Sequence, residues 1–333
     1  MSGALVVGAG ISGIACATAM AEAGVIPLVV DRGRAVGGRM ASRTLRDTGT
    51  AFDGRVVDIG ASYFTVSNPE FRAVVDDWVT RGLARPWTDS FHVASSDGVD
   101  AVRTGPVRYA ANGGLRSLIA DSASKLPEVW PSIDVTSITA DGASLIVDGE
   151  RRSAVALCMP NAQAHRLIDA SLMTSALEAS LTGITYEPVI AVTAVFDVQC
   201  WEDFDGMFVN DDQVITWIAN DGSRRGDDAP VLVAHVNPVL SVRHLEDPAS
   251  VLPIVLATLR RVLSLTDQPV WVDAHRWTFA KPMTAHQEPF HLEESRLLGL
   301  SGDAWADGPK VETAWLSGHL LGRELARRLL DSD

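Results

Sequence analysis

Read from its start, the chain opens on an unbroken apolar run, Ala4 to Val7, that stops at a glycine. This is the pattern of a strand buried on both faces. From Ala4 to Val30 only Glu22 is charged. The small residues Gly13, Ala17 and Ala21 would let a helix over about 11–23 lie close on a sheet, Gly24 would end it, and Val25 to Val30 would supply a second parallel strand. A membrane span or signal peptide shows the same low charge. Here there is no basic start, the glycines have fixed spacing, and the run ends in Asp31, so a buried βαβ unit is the better reading.

Further along, Asn68-Pro69-Glu70 predicts a helix start: a capping side chain, a proline at the first helical position and an acid in the first turn. Phe71, Val74, Val75, Trp78 and Val79 form its apolar face. Strand patterns at Ala191 to Val198, Gln213 to Ala219 and Pro230 to Val236 predict an antiparallel sheet in the middle of the chain. Pro248 to Leu263 reads as a helix and Trp271 to Phe279 as a strand. The chain finishes with a strand-like Leu298-Gly299-Leu300, a Ser301-Gly302-Asp303 loop and a helix from about Glu312 to Leu330, a second βα unit of the same kind as the first.

The expected fold class is therefore α/β: a two-dinucleotide-binding domain with a Rossmann-like parallel sheet and helices, and a substrate domain with a mixed or antiparallel sheet and helices. The nucleotide domain is expected to be discontinuous, made of residues 1–70, 105–170 and 295–333. Residues 71–104 and 171–294 would form the substrate domain.

Composition narrows the function. A length of 333 residues suits two domains, large enough to need no covalent staples. Cys16, Cys158 and Cys200 are widely spaced and lack metal-ligand spacing, which points to a reducing compartment, the cytoplasm, and to no bound metal. A net charge of -14 argues against nucleic acid or an anionic membrane as partner.

The chemistry is carried by glycines. In Gly8-Ala9-Gly10-Ile11-Ser12-Gly13, Gly8 allows the tight turn, Gly10 the approach of a phosphate and Gly13 close helix packing, while the helix N-terminus favours an anion. Asp31 ends the second strand 18 residues after Gly13, where an acid accepts hydrogen bonds from a ribose diol. An acid there suits NAD and FAD alike. Downstream, Val36-Gly37-Gly38-Arg39-Met40 resembles the extension found in the amine oxidase-like flavoproteins. Among Arg32, Arg34, Arg39, Arg43 and Arg46, which otherwise read as a solvated face, Arg39 is the one expected to bring a fixed positive fork to the pyrophosphate or adenosine side.

Two more segments resemble the same superfamily. Val57-Asp58-Ile59-Gly60-Ala61-Ser62-Tyr63-Phe64 is similar to the stretch beside the flavin ring, where Gly60 permits close backbone approach and Asp58 reads equally well as an ordinary turn residue. A glycine pair opens a helix at Asn112-Gly113-Gly114-Leu115. Leu300 to Trp305 followed by Val311 to Gly318 resembles the C-terminal FAD signature, with Asp303 on a ribityl or phosphate-side hydroxyl and the last helix aimed at the flavin pyrimidine. The resemblance implies non-covalent FAD, held by Gly8, Gly10, Ile11, Ser12, Gly13, Asp31, Arg32, Gly38, Arg39, Met40, Gly60, Ala61, Ser62, Val135, Asp303, Thr313 and Ala314.

Within that superfamily the chain looks most like the renalase family, on Gly37 to Met40, Asp58 to Thr65, His275-Arg276-Trp277-Thr278-Phe279-Ala280-Lys281-Pro282 and the Gly302-Asp303 end. The resemblance implies an oxidase that takes hydride from 2- and 6-dihydro isomers of NAD(P)H, with oxygen as electron acceptor and hydrogen peroxide and NAD(P)+ as products. Such a donor carries no proton to be removed, so the absence of a catalytic triad or metal cluster is in keeping. Phe64, His235, His275 and Trp277 are the candidate pocket residues. Each histidine reads at least as well as an ordinary hydrogen-bonding residue. An amine oxidase or desaturase of the same fold is the alternative, and a non-catalytic dinucleotide-binding protein a more distant one.

Overall fold

The apolar run at the N-terminus becomes the centre of a parallel sheet. In the computed structural model, which describes residues 3–95, 98–142 and 144–331, Ala4–Val7 lies between Leu28–Asp31 and Ala154–Leu157, parallel to both. Val129–Pro131 extends the sheet on one side and Leu298–Leu300 on the other, and His291–Glu293 closes that second edge antiparallel. Every residue of Ala4–Val7 and Ala154–Leu157 is buried, which is why neither strand alternates in sequence.

Helix Ile11–Glu22 packs along the last helix, Val311–Leu330. Their backbones meet closely: a Cβ on Gly318 would stand 1.9 Å from the carbonyl oxygen of Ser12, and one on Gly322 2.2 Å from that of Cys16. The two ends of the chain are thus packed against each other through side chains that are missing.

The chain divides into two units, one of residues 1–39, 119–186 and 281–333, the other of 40–118 and 187–280. The first holds the parallel sheet and a three-stranded antiparallel sheet of Ile138–Asp141, Ser144–Val147 and Glu150–Arg152. The second is organised on a seven-stranded sheet in the order Trp271–Pro282, Tyr186–Val195, Val231–Val236, Ile215–Asn220, Gly206–Val209, Ala84–Ser95, Gly98–Ala111. Its pairings around Val231–Val236 are antiparallel, and Gly206–Val209 pairs parallel with Ala84–Ser95. One face of this sheet buries Val192, Ala194, Ile218 and Val236 with Val255 and Leu259 of helix Leu252–Val262.

The division differs from the one expected at four segments. Residues 40–70 and 105–118 fall in the second unit, because the hairpin of Ser42–Thr44 and Val56–Asp58 leads Leu45 and Val57 into a cluster with Val195, Val231 and Val233. Residues 171–186 and 281–294 fall in the first. There Leu172, Leu177 and Leu181 join the core around Leu157 and Leu300, and His291–Glu293 completes the parallel sheet's edge.

Several element bounds shift by a few residues. The helix predicted over Pro248 to Leu263 begins as a tighter turn, Pro248–Val251, before Leu252–Val262. Helix Pro69–Thr80 is capped as its sequence predicts, with the Asn68 side chain accepting from the N–H groups of Glu70 and Phe71. Phe71, Val75 and Trp78 are buried, while Val74 and Val79 are only partly so. No helix among the described residues is long and apolar enough to cross a membrane.

Candidate cofactor and substrate site

In the first unit the glycine loop after Ala4–Val7 has the geometry of an anion cradle. Gly8 has φ +107, and a Cβ there would fall 2.5 Å from the Cys158 carbonyl oxygen. At Gly13 a Cβ would fall 1.8 Å from the Gly8 carbonyl oxygen, so both glycines are demanded by the protein itself. Gly10 is different: its Cβ would meet only the Gly38 Cα, at 3.9 Å. The open space in front of Gly10 has the form expected if a ligand occupies it.

The donors are there too. The first bond of helix Ile11–Glu22 runs from Ile14 N–H to the Gly10 carbonyl, 3.0 Å, which leaves the amides of the first turn to point out of the helix end. Gly10 offers no capping side chain and the first turn carries no acid, so neither the cap nor the first turn competes with an incoming anion. The Ser12 hydroxyl turns away to share a hydrogen bond with Ser301, 2.9 Å.

Asp31 is fixed by its surroundings. One carboxylate oxygen accepts from Ala9 N–H and the other from Gly33 N–H, each at 2.6 Å. A carboxylate has acceptor capacity beyond these two bonds, which suits a ribose diol. Arg32 and Gly38 are exposed.

Arg39, expected at the pyrophosphate or adenosine side, and Asp303, expected at a ribityl or phosphate-side hydroxyl, bind each other, Nη1 to Oδ2 at 2.8 Å and Nη2 to Oδ1 at 2.6 Å. Burial works against the Arg39 charge, and the Asp303 carboxylate outweighs it, holding the guanidinium above its usual pKa. Tyr186 lies in the same charged neighbourhood, its hydroxyl pushed up to about 12 mainly by burial, and donates to Asn161 at 3.1 Å.

Four other residues expected at the cofactor are buried. Val135 packs its side chain into the core of the unit. Met40 is buried, as are Thr313 and Ala314 in the first turn of the last helix, and the Ala314 N–H is already taken by the Lys310 carbonyl at 3.1 Å.

In the second unit, the segment Asp58 to Ser62 is held from behind. Trp277 Nε1 donates to the Ile59 carbonyl at 2.6 Å. Arg224 donates to the carbonyls of Asp58 and Ser62, at 3.3 and 3.2 Å, and Trp217 Nε1 to the Ser62 hydroxyl at 2.9 Å. Ile59 N–H is bound to the Ala41 carbonyl at 3.2 Å. Among the described residues, the N–H groups of Gly60, Ala61, Ser62 and Tyr63 have no acceptor.

Asp58 is no ordinary turn residue. It is fully buried and accepts from the Ser42 hydroxyl at 2.6 Å and from the N–H of Leu115, the first residue of helix Leu115–Ala123, at 2.9 Å. Phe64 also requires correction. It is 2% exposed, stacked on Tyr109 and edge-on to Phe71 and Trp78, so it is a core residue and not part of a pocket.

His275 and Trp277 lie edge to face at 4.8 Å, and both remain partly accessible. Burial lowers the His275 pKa, helped by Arg43. His235 is lowered further, to about 4, by burial and then by the Arg224 charge, while the Gly60 backbone acts in the opposite direction. Among the described residues, its buried Nε2 has no hydrogen bond of regular geometry. At neutral pH the ring is therefore uncharged.

A buried charge cluster beneath this segment was not foreseen from the sequence. Asp221 pairs with Arg224, Arg225 and Arg55, and Asp58 with Arg225 at 2.9 Å. Burial alone would raise the Asp221 pKa, but the three guanidinium groups bring it down to about 2. One signal was available: Asn220 caps the short helix Asp221–Arg225, and an acid followed by arginines three and four residues later lies on one face of a helix.

Residues 6–78 match the NAD(P)-binding Rossmann-like domain. Renalase of Mus musculus is 26% identical over 323 residues, covering 87% of this chain and 91% of that protein. Among solved structures, a putrescine oxidase bound to putrescine superposes with a TM-score of 0.72 at 17% identity, covering 99% of each chain. Cyclohexylamine oxidase from Brevibacterium oxydans gives 0.75 at 13% identity, again covering 99% of each. In sequence the chain resembles renalase, and its fold is the one shared by these amine oxidases, which makes it similar to the FAD-dependent oxidoreductases of the amine oxidase-like group.

Proposed function

We propose that this protein is an FAD-dependent oxidase of misreduced nicotinamide dinucleotides, the 2- and 6-dihydro isomers of NAD(P)H. The likeness to renalase over most of both chains is the observation that carries the reading. When bound, FAD supplies the hydride acceptor and hands the electrons to oxygen, so that dihydronicotinamide, oxygen and a proton become NAD(P)+ and hydrogen peroxide.

What the chain contributes is holding and orientation. The amides at Gly10 to Gly13 would take the pyrophosphate and Asp31 the adenosine ribose. The resemblance assigns the flavin ring to Gly60, Ala61 and Ser62. Trp277, fixed through its indole N–H and met edge to face by His275, offers an aromatic face for a nicotinamide ring. His235, neutral at physiological pH, suits a donor that loses hydride alone. The protein would act in the cytoplasm, on a small molecule, without nucleic acid or membrane.

Amine oxidation is the second reading, favoured by the fold shared with putrescine and cyclohexylamine oxidases. One experiment separates the two. Purified protein is checked for a flavin absorbance band and mixed anaerobically with borohydride-derived dihydroNAD isomers, with ordinary NADH, and with putrescine and cyclohexylamine. Bleaching by the isomers alone supports the proposal; bleaching by an amine alone replaces it with the second reading. Bleaching by none of them, or no flavin band, overturns it.

A further inference from the structure

The charge cluster under Asp58 to Ser62 is not explained by stability. Taking paired charges out of water costs about as much as their attraction returns, and a well-packed apolar substitute is often at least as stable. Yet three guanidinium groups, those of Arg55, Arg224 and Arg225, face two fully buried carboxylates, Asp58 and Asp221. Among the described residues, the remaining charge is met by Asp227, whose side chain is half exposed.

Arg224 is the member that touches the segment. Its Nε lies 3.2 Å from Asp221 Oδ1, and its Nη2 binds the same oxygen. The planar fork then reaches the carbonyls of both Asp58 and Ser62. With Trp277 on the Ile59 carbonyl, the backbone between Asp58 and Ser62 has three of its carbonyls tied to side chains. Among the described residues, the consecutive N–H groups of Gly60 to Tyr63 are left without protein acceptors. A peptide chain with its carbonyls tied back and its amides unclaimed is a preorganised row of donors for an acceptor-bearing ligand edge.

We propose that Arg224, anchored by Asp221, is a positioning residue: it sets the direction of the Gly60 to Tyr63 amides and supplies a fixed positive charge behind them. The inference rests on the reading that these amides lie beside the flavin. Reduction places negative charge on the flavin pyrimidine, so donors and a nearby cation favour the reduced form. Lysine cannot reproduce this arrangement, because an ammonium has no planar fork with which to hold two carbonyls and a carboxylate together.

The test uses the purified holoprotein with Arg224→Lys and Arg224→Met. The readouts are the flavin absorbance band, the midpoint potential by reductive titration with dithionite, and the limiting rate of flavin bleaching by the dihydroNAD isomers per bound FAD. Both variants are expected to retain FAD through the first unit, with an altered flavin band and a lowered potential. Bleaching is expected to slow by on the order of tenfold to a hundredfold, with Arg224→Lys closer to wild type in potential than in rate. A band, potential and rate per bound flavin equal to wild type in Arg224→Lys would overturn the proposal. Should Arg224→Met not fold, Arg224→Lys carries the comparison alone. A wild-type protein without flavin would instead sink the functional reading, and the spectrum and dithionite titration make that distinction without relying on any donor.

Discussion

Arg39 and Asp303, 264 residues apart in sequence, hold each other through two parallel N–H···O bonds of 2.8 and 2.6 Å. The pair joins the N-terminal and C-terminal halves of the cofactor signature into one element of structure. Asp303→Asn and Arg39→Met are each expected to weaken FAD binding, because each removes the two bonds that fix its partner beside the glycine loop. The double variant should lose less than the sum, with a coupling of about 0.5 to 3 kcal/mol. FAD dissociation constants from a double-mutant cycle check this, and strictly additive losses would count against a shared role.

Gly10 and Gly13 are expected to fail in different ways. Gly10→Val places its side chain in open space, so the protein should fold with near wild-type melting temperature and yet lose FAD on gel filtration. Gly13→Ala drives a methyl into the Gly8 carbonyl, 1.8 Å from its ideal Cβ position, and should lower the melting temperature itself. A yellow Gly10→Val protein after gel filtration would refute the phosphate cradle.

Trp277 combines an aromatic face with a bond to the Ile59 carbonyl. Trp277→Ala should slow flavin reduction by on the order of tenfold to a hundredfold while FAD stays bound, and Trp277→Phe, which keeps the ring but loses the N–H, should fall between. Stopped-flow reduction measures both. Unchanged rates in the two variants would remove Trp277 from the substrate side.

His235 makes stability depend on pH. Its folded pKa, about 4, lies below the ordinary 6.5, so between these values the unfolded chain binds a proton that the folded chain does not. Stability from this residue is complete above 6.5 and declines as pH falls toward 4, by about 1.4 kcal/mol per unit at most. Asp221, held down near 2, stays charged throughout that window and does not blur the result. Urea unfolding at pH 7 and pH 5 should show a smaller loss for His235→Asn than for wild type. Equal losses would mean that His235 titrates normally.

Much of the nucleotide-binding unit was legible because its signals are local. The βαβ start, the fixed glycine spacing, the Asn68 cap and the last helix each follow from neighbouring residues and a simple period. The antiparallel middle sheet was legible for the same reason. The domain boundaries were not, since Leu45 and Val57 choose their unit by packing against strands more than a hundred residues away. Phe64 likewise has an aromatic partner set that no spacing announces.

By itself the sequence determined the first βαβ unit, the glycine loop at its helix start and the placement of an acid after the second strand, because short-range sterics and hydrogen bonding decide those features. Only the tertiary structure decided that Arg39 pairs with Asp303, and that Asp58 belongs to a buried cluster with Asp221, Arg224 and Arg225. It also decided that His235 stays neutral. Charge interactions and desolvation depend on distances in space, and a linear chain does not contain those distances until it has folded.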